Sequence, residues 1–217
     1  MDTVVAWDLK GTLITGSDVA RAAAFNRYLE GAGYSERVTP EQIEKAGYGW
    51  IARMRVLMPD FTPTAGALET LETLQRKEIP KYVRAMPGIE TALRRVGRGN
   101  SVLVSTSRRS LIGEYLKAAK LEGKFEKVYS VLDDALPAGV GRDDVLPEQI
   151  PAYKAYLFGR VVADFPMARI VAVGDRDGDR LAARAAEIEF VGVGHLEELW
   201  QQHPSQRLLL PAIAARA

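Results

Sequence analysis

Three apolar runs end in polar residues of the kinds that carry out chemistry. Val4-Val5-Ala6-Trp7 runs into Asp8-Leu9-Lys10-Gly11-Thr12. Val102-Leu103-Val104 runs into three hydroxyls, Ser105-Thr106-Ser107. Val171-Ala172-Val173-Gly174 runs into Asp175-Arg176-Asp177-Gly178-Asp179. Carboxylates in such places suit a nucleophile or a ligand to a hard cation. Hydroxyls suit an anion. A lone aspartate in a turn is as often a turn-capping residue. Gly11-Thr12 behind Asp8, and Asp175 in a matching context far along the chain, favour catalysis.

The elements around these residues can be read from periodicity. Short apolar runs closed by glycine-bearing turns predict buried parallel strands at Val4–Trp7, Ser101–Ser105, Lys127–Leu132, Ile170–Val173 and Phe190–Val193. Helical spacing predicts helices over Pro87–Val96, Leu111–Ala119, Tyr153–Ala163 and Arg180–Ala186 between them. Strand and helix in alternation imply a parallel sheet covered by helices on both faces. Residues from about Thr15 to Val83 read as all-helical. Ser17–Glu30 would be capped by Ser17 or Asp18, a second helix opens at Thr39-Pro40-Glu41-Gln42, and a third spans Thr64–Lys77. The fold class expected is therefore α/β. A Rossmann-like core from 1–14 and 84–217 is interrupted by a small helical cap, 15–83. Asp133 to Pro151 reads as a long loop. In open α/β sheets ligands bind beyond the carboxyl ends of the strands. That rule selects Asp8, Lys10, Ser105, Thr106, Ser107, Asp133, Asp134, Asp175, Asp177 and Asp179.

Composition removes several classes of function. The 217 residues carry 29 Lys and Arg against 28 Asp and Glu, so neither a nucleic-acid nor a membrane partner is expected. The absence of cysteine excludes thiol catalysis, Cys-ligated zinc and disulfides. No apolar run reaches the length of a membrane span, no signal peptide is recognisable, and a cytoplasmic location is expected.

Taken in order, four pieces resemble the motifs of the haloacid dehalogenase superfamily. Val4 to Leu13 resembles the first, an apolar strand ending in D-x-D-G-T-L. Val102 to Ser107 resembles the second, Lys154 sits where the third has its lysine, and Val171 to Asp179 resembles the fourth, G-D-x-x-x-D. With its helical cap, the chain is similar to phosphoglycolate phosphatase and beta-phosphoglucomutase-like members. The resemblance implies a magnesium-dependent hydrolase of a small phosphorylated metabolite, acting as a monomer or homodimer through an aspartyl phosphate on Asp8. Thr106 would donate to a phosphoryl oxygen, with Ser105 a one-residue alternative and Ser107 beside it. Lys154 would orient Asp8. Mg2+ would be held by Asp8, Asp175 and the backbone carbonyl of Lys10. Asp179 would reach a metal-bound water or Lys154, in competition with Asp177. Taken alone, Lys154 could equally be an ordinary surface lysine on a helix.

Position 10 departs from the pattern. The family's phosphatases carry an aspartate there that protonates the leaving group and then activates water. Lysine, with an ordinary pKa of about 10.4, is cationic and cannot be a base. It could take over part of the metal's electrostatic role, work with a depressed pKa, or leave a phosphate-binding protein with little or no turnover. The superfamily's metal-free dehalogenases, which cleave C–X bonds, have an aromatic residue at this position and a less acidic fourth motif. The acids retained here argue against that chemistry.

In the cap, Ala46 to Arg53 resembles a substrate-specificity loop. Arg53 is a candidate for a substrate anion. Tyr48 and Trp50 are packing or contact residues, and Lys45 has nothing to recommend it. Arg108 and Arg109 read as solvent-facing, and His195 and His203 have no partner motif. Leu208–Ala217 reads as a short amphipathic helix.

Overall fold

A computed structural model describes residues 3–46, 50–58, 66–140 and 145–193. Tyr48, His195, His203 and the 208–217 segment lie outside the described residues. Five parallel strands form one sheet in the order β5-β4-β1-β6-β7. They are β1 (Thr3–Trp7), β4 (Ser101–Ser105), β5 (Lys127–Ser130), β6 (Arg169–Gly174) and β7 (Glu189–Gly192). β1 lies at the centre, pairing Ala6 with Val102 of β4 and with Ala172 of β6. The three strands that end in acids or hydroxyls are thus neighbours, and their carboxyl ends open on one edge.

Alternation along β1 sorts the core. Val5 and Trp7 face a cluster with Leu93, Leu103, Ile112 and Tyr115. Val4 and Ala6 face one with Val104, Leu157, Phe158 and Ala182. The first cluster is closed by α5 (Ile89–Val96) and α6 (Arg109–Ala118), the second by α7 (Ile150–Asp164) and α8 (Asp177–Ala185). With both faces covered, the strands read as unbroken apolar runs.

Between β1 and β4 the chain leaves the sheet through a two-stranded antiparallel ribbon. β2 (Ile14–Thr15) pairs with β3 (Arg84–Ala85). The ribbon encloses α1 (Ser17–Gly31), α2 (Pro40–Lys45), α3 (Trp50–Leu57) and α4 (Ala67–Tyr82). These helices have their own apolar cluster, in which Phe25 stacks on Trp50 at 5.9 Å between Leu29, Ile43, Met54 and Leu71. Trp50 thus packs within this cluster and also borders the cleft beneath it.

Several expectations need correction. The α1 N-cap is Gly16, in the left-handed region, rather than Ser17 or Asp18. Asp18 instead spends its carboxylate on Arg21. α4 runs on to Tyr82, past Lys77 and in spite of Pro80, because Leu71, Gln75, Glu78 and Ile79 remain on its buried side. β5 stops at Ser130, since Ser130 Oγ accepts from the Asp133 backbone and winds Val131–Ala135 into a single wide turn. Helix α7 begins at Ile150, three residues before the predicted start. The α2 opening is as expected: Thr39 and Gln42 exchange capping hydrogen bonds and Pro40 begins the helix.

Candidate active site

Asp8 follows β1 directly, and its backbone N–H donates to Val173 O at 2.8 Å, which ties it to the end of β6. Its side chain meets Lys154, which α7 delivers from the far side of the sheet. Lys154 is only 2% exposed. Its ammonium donates to Asp8 Oδ1 at 2.6 Å and also to Asp179 Oδ1. Asp8 Oδ2 is left without a hydrogen bond among the described residues.

Asp179 resolves the competition in the fourth motif. It is buried, and its other oxygen accepts from Arg176 N–H at the start of α8. It reaches inward because residue 174 is glycine: a Cβ there would stand 2.5 Å from Asp179 Oδ2. Asp177 points outward and pairs with Arg180 at 3.0 Å. Asp175 sits at a more open position, 3.6 Å from Arg176 Nε. One oxygen each from Asp8, Asp175 and Asp179 lies within 4.8 Å of the others. Three hard donors at such spacing fit magnesium.

The charges disturb one another as that crowding requires. Burial raises the Asp8 carboxyl to about 6; Lys154 opposes the rise, and Asp179 and Asp175 add to it. Asp175 is also raised, by burial first, against the pull of Arg176. Burial acts against the charged form of Lys154, yet the two carboxylates outweigh it and hold the ammonium above its ordinary range.

Lys10 does not enter this cluster. Its ammonium lies over the Tyr115 ring, 5.4 Å from the centroid, and forms no ion pair with a described residue. Burial, then the guanidinium groups of Arg21 and Arg53, push its pKa well below the ordinary lysine value. It borders the cleft between the sheet edge and the helical unit, together with Arg21, Arg53 and Thr106. Among the described residues Lys10 forms no ion pair with Asp8, Asp175 or Asp179, although it borders the same cleft as Asp8.

The hydroxyls after β4 are held differently. Ser105 is buried, and its Oγ accepts from Ser107 N–H at 3.1 Å, so it shapes the turn. Thr106 is partly exposed and lines the cleft next to Asp8. Ser130 Oγ donates to Ser107 O at 2.8 Å, and Asp133 accepts from Arg109 N–H at 2.6 Å. The β5 turn thus buttresses the β4 turn. Arg109 faces solvent as expected, gripping Asp134 with both contacts at 2.7 Å, whereas Arg108 is half-buried and pairs with Glu72 of α4. Arg53 is buried, and its Nε donates to Ile43 O at 3.2 Å. Lys45 lies in α2 and borders neither part of the cleft.

Sequence reasoning missed Arg21, Gln75 and Arg176. Arg21 lies three residues after Asp18 on an otherwise alanine-rich helix face, a spacing that marks an ion pair. Gln75 donates to Tyr115 OH at 2.6 Å across the gap between α4 and α6. Arg176 reaches Glu44 of α2 at 3.3 Å. For the last two, only the folded arrangement supplies the partner.

Comparisons with known proteins agree with this fold. A haloacid dehalogenase-like hydrolase family model matches residues 3–187. A conserved haloacid dehalogenase-like protein of unknown function from Agrobacterium tumefaciens is 24% identical. The similarity covers 88% of this chain and 82% of that one, with a TM-score of 0.60. A predicted phosphoglycolate phosphatase from Haemophilus somnus is 17% identical over 88% and 84% of the two chains, with a TM-score of 0.66. A candidate beta-phosphoglucomutase from Thermotoga maritima is 17% identical over 88% and 85%, with a TM-score of 0.62. A search of curated proteins finds no match. Among the described residues no helix is long and apolar enough to cross a membrane. With a family model spanning four of the five strands, the helical unit and all four motifs, the chain belongs to the haloacid dehalogenase-like hydrolases.

Proposed function

We propose that the chain is a phosphohydrolase of a small phosphomonoester, with Asp8 as nucleophile. The observation that supports this most is the bond from buried Lys154 to Asp8 Oδ1, which fixes the carboxylate and leaves Oδ2 for attack. Asp8, Asp175 and Asp179 would hold magnesium, which when bound neutralises phosphoryl charge. Thr106 would donate its hydroxyl to a phosphoryl oxygen. Oδ2 of Asp8 forms a bond to phosphorus as the bond to the leaving oxygen breaks, giving an acyl phosphate. Water then displaces Asp8 and releases inorganic phosphate. The helices α1 to α4 act as a cap over the cleft, and substrate enters between cap and sheet.

The absence of a carboxylate at position 10 favours a slow variant of this chemistry. Without it the leaving oxygen has no carboxylic acid to protonate it, and the attacking water has no carboxylate base. Leaving groups that depart as anions are the best substrates, and the acyl phosphate outlives its formation. Incubation with magnesium and p-nitrophenyl phosphate tests this through phosphate release and through phosphorylation of the protein. Both should disappear in Asp8→Asn and on chelation. Phosphate release that survives either change would overturn the proposal.

A further inference from the structure

Beneath the helical unit the cleft is bordered by Lys10, Arg21, Arg53 and Arg108, yet each of these is engaged by the protein itself. Arg21 donates to Asp18 at 2.6 Å. Arg53 donates its Nε to Ile43 O at 3.2 Å, and its guanidinium carbon lies 5.8 Å from the centre of the Trp50 ring. Arg108 pairs with Glu72, and the Lys10 ammonium lies over the Tyr115 ring. Gln75 gives its amide to Tyr115 OH at 2.6 Å. These polar groups are committed to partners inside the chain.

The remaining lining is hydrocarbon. Trp50 and Leu68 border this end from the helical unit, and Leu111, Leu132, Val145 and Ile150 border it from the core. The core residues come from the first turn of α6, the wide turn after β5, the segment before α7 and the first residue of α7. Leu68 and Leu132, one from each side, are only half-buried. Ile150 and Thr106 also border the Asp8 end, so the apolar part is continuous with it. A strongly hydrated group would lose its water here against polar partners that are already occupied, which favours an apolar occupant.

A second, chemical observation selects the kind of apolar group. Position 10 carries no carboxyl to protonate a leaving oxygen. The oxygen must therefore depart as an anion, which a phenol does far more readily than an alkanol.

We propose that the substrate is a phosphate ester of an apolar phenol, with its ring seated between Leu68 and Leu132. The inference rests on the phosphohydrolase reading, which places the phosphoryl group at the Asp8 end. Oδ2 of Asp8 bonds to phosphorus, and the bond from phosphorus to the aryl oxygen breaks with its electron pair on that oxygen. The phenoxide takes a proton from water after it leaves.

Binding and turnover test the two halves. Calorimetry with magnesium compares methylphosphonate, benzylphosphonate and (4-carboxybenzyl)phosphonate, none of which can be hydrolysed. Benzylphosphonate should bind about tenfold or more tightly than methylphosphonate, the gain expected for burying a ring. The added carboxylate should cancel most of that gain. Leu68→Gln and Leu132→Gln keep the volume and remove the apolar character. Each, checked for folding by circular dichroism, should shrink the gap to about threefold or less and leave methylphosphonate binding unchanged. Phenyl phosphate should be hydrolysed about 10²-fold or more faster than cyclohexyl phosphate, which is similar in size and apolarity but leaves as an alkoxide that needs a proton. Four results would each overturn the phenolic ester and leave the phosphohydrolase reading standing: equal affinity for methyl- and benzylphosphonate, tightest binding of the carboxylated ligand, a gap that survives in both variants, or equal turnover of the two esters. A protein that binds no phosphonate and hydrolyses neither ester overturns both.

Discussion

The carboxylate of Asp175 occupies the space that a side chain on Gly11 would need: a Cβ at residue 11 would lie 2.0 Å from Asp175 Oδ2. Gly11 also has a φ of 81°, in the left-handed region. The turn after β1 and the turn after β6 therefore fit together through a missing atom. Gly11→Ala should cost roughly 1–2 kcal/mol in backbone strain alone, and more through displacement of Asp175. Thermal melting should show the loss of stability, and calorimetry should show weaker magnesium binding. Magnesium affinity equal to that of the unmodified protein would mean that Asp175 need not occupy this place.

Lys154 separates two carboxylates that would otherwise repel each other. Lys154→Met should destabilise the metal-free protein by about 3–5 kcal/mol, the usual result of leaving buried charge without its partner. Urea unfolding in chelator measures it. Added magnesium should restore more stability to the variant than to the unmodified protein, because it would supply the missing positive charge. A variant indifferent to magnesium would indicate that the acids hold no cation.

Asp8 makes stability depend on pH in a particular direction. Burial lifts its folded pKa from 3.8 to about 6, with Lys154 opposing and Asp179 and Asp175 adding repulsion. Between those values the folded chain keeps a proton that the unfolded chain has released. This contribution to stability is complete below the unfolded value and is lost as pH rises through the folded one. The raised Asp175 acts in the same sense. Lys154 is held charged throughout this window and adds no slope to it. Without metal, Asp8→Asn should be more stable than the unmodified protein at pH 8, by on the order of 2–3 kcal/mol. The difference should nearly vanish by about pH 3, where Asp8 is mostly protonated in both states. Urea melts at the two pH values decide it, and a less stable variant at pH 8 would mean that the Lys154 ion pair outweighs burial.

Lys10→Asp restores a carboxylate where an acid and base are needed, so turnover of a simple alkyl phosphate should rise by about 10²-fold or more. An aryl phosphate, whose leaving group departs as an anion, should gain less. Steady-state rates for both esters check this. A fall in turnover for both would give Lys10 a direct part in the reaction.

Much of this was legible in the sequence because the sheet is buried on both faces. Strands of that kind appear as apolar runs, and their ends announce themselves by glycine and acids. Asp8, Asp175 and Asp179 could be named for that reason. The direction of Lys10 could not, because it depends on Tyr115 and on two arginines from the inserted helices. Arg21 escaped for a related reason: an arginine on an alanine-rich helix looks like a solvated residue until the helix is folded against the sheet. The buttress from Ser130 and Asp133 depends on a wide turn that ends β5 early, and the apolar Val131-Leu132 after Ser130 concealed it. Trp50 and Arg53 sit in helix α3, whose register against Phe25 is a tertiary property.

The pairing of Ile14 with Ala85 brings the two ends of the inserted helices together at one point on the sheet's edge. To the sheet, the whole insertion is a loop closed by one backbone stem, and its other ties are side-chain contacts such as Gln75 to Tyr115, Glu72 to Arg108 and Glu44 to Arg176. The entropy of closing such a loop grows only with the logarithm of its length. Helices could be lengthened or shortened beyond the stem with little effect on the strands below, provided those side-chain contacts are kept. The arrangement separates two tasks in heredity as well as in space: the sheet edge that bears Asp8 can stay fixed while the surface that Arg21 and Arg53 contribute is free to be rewritten.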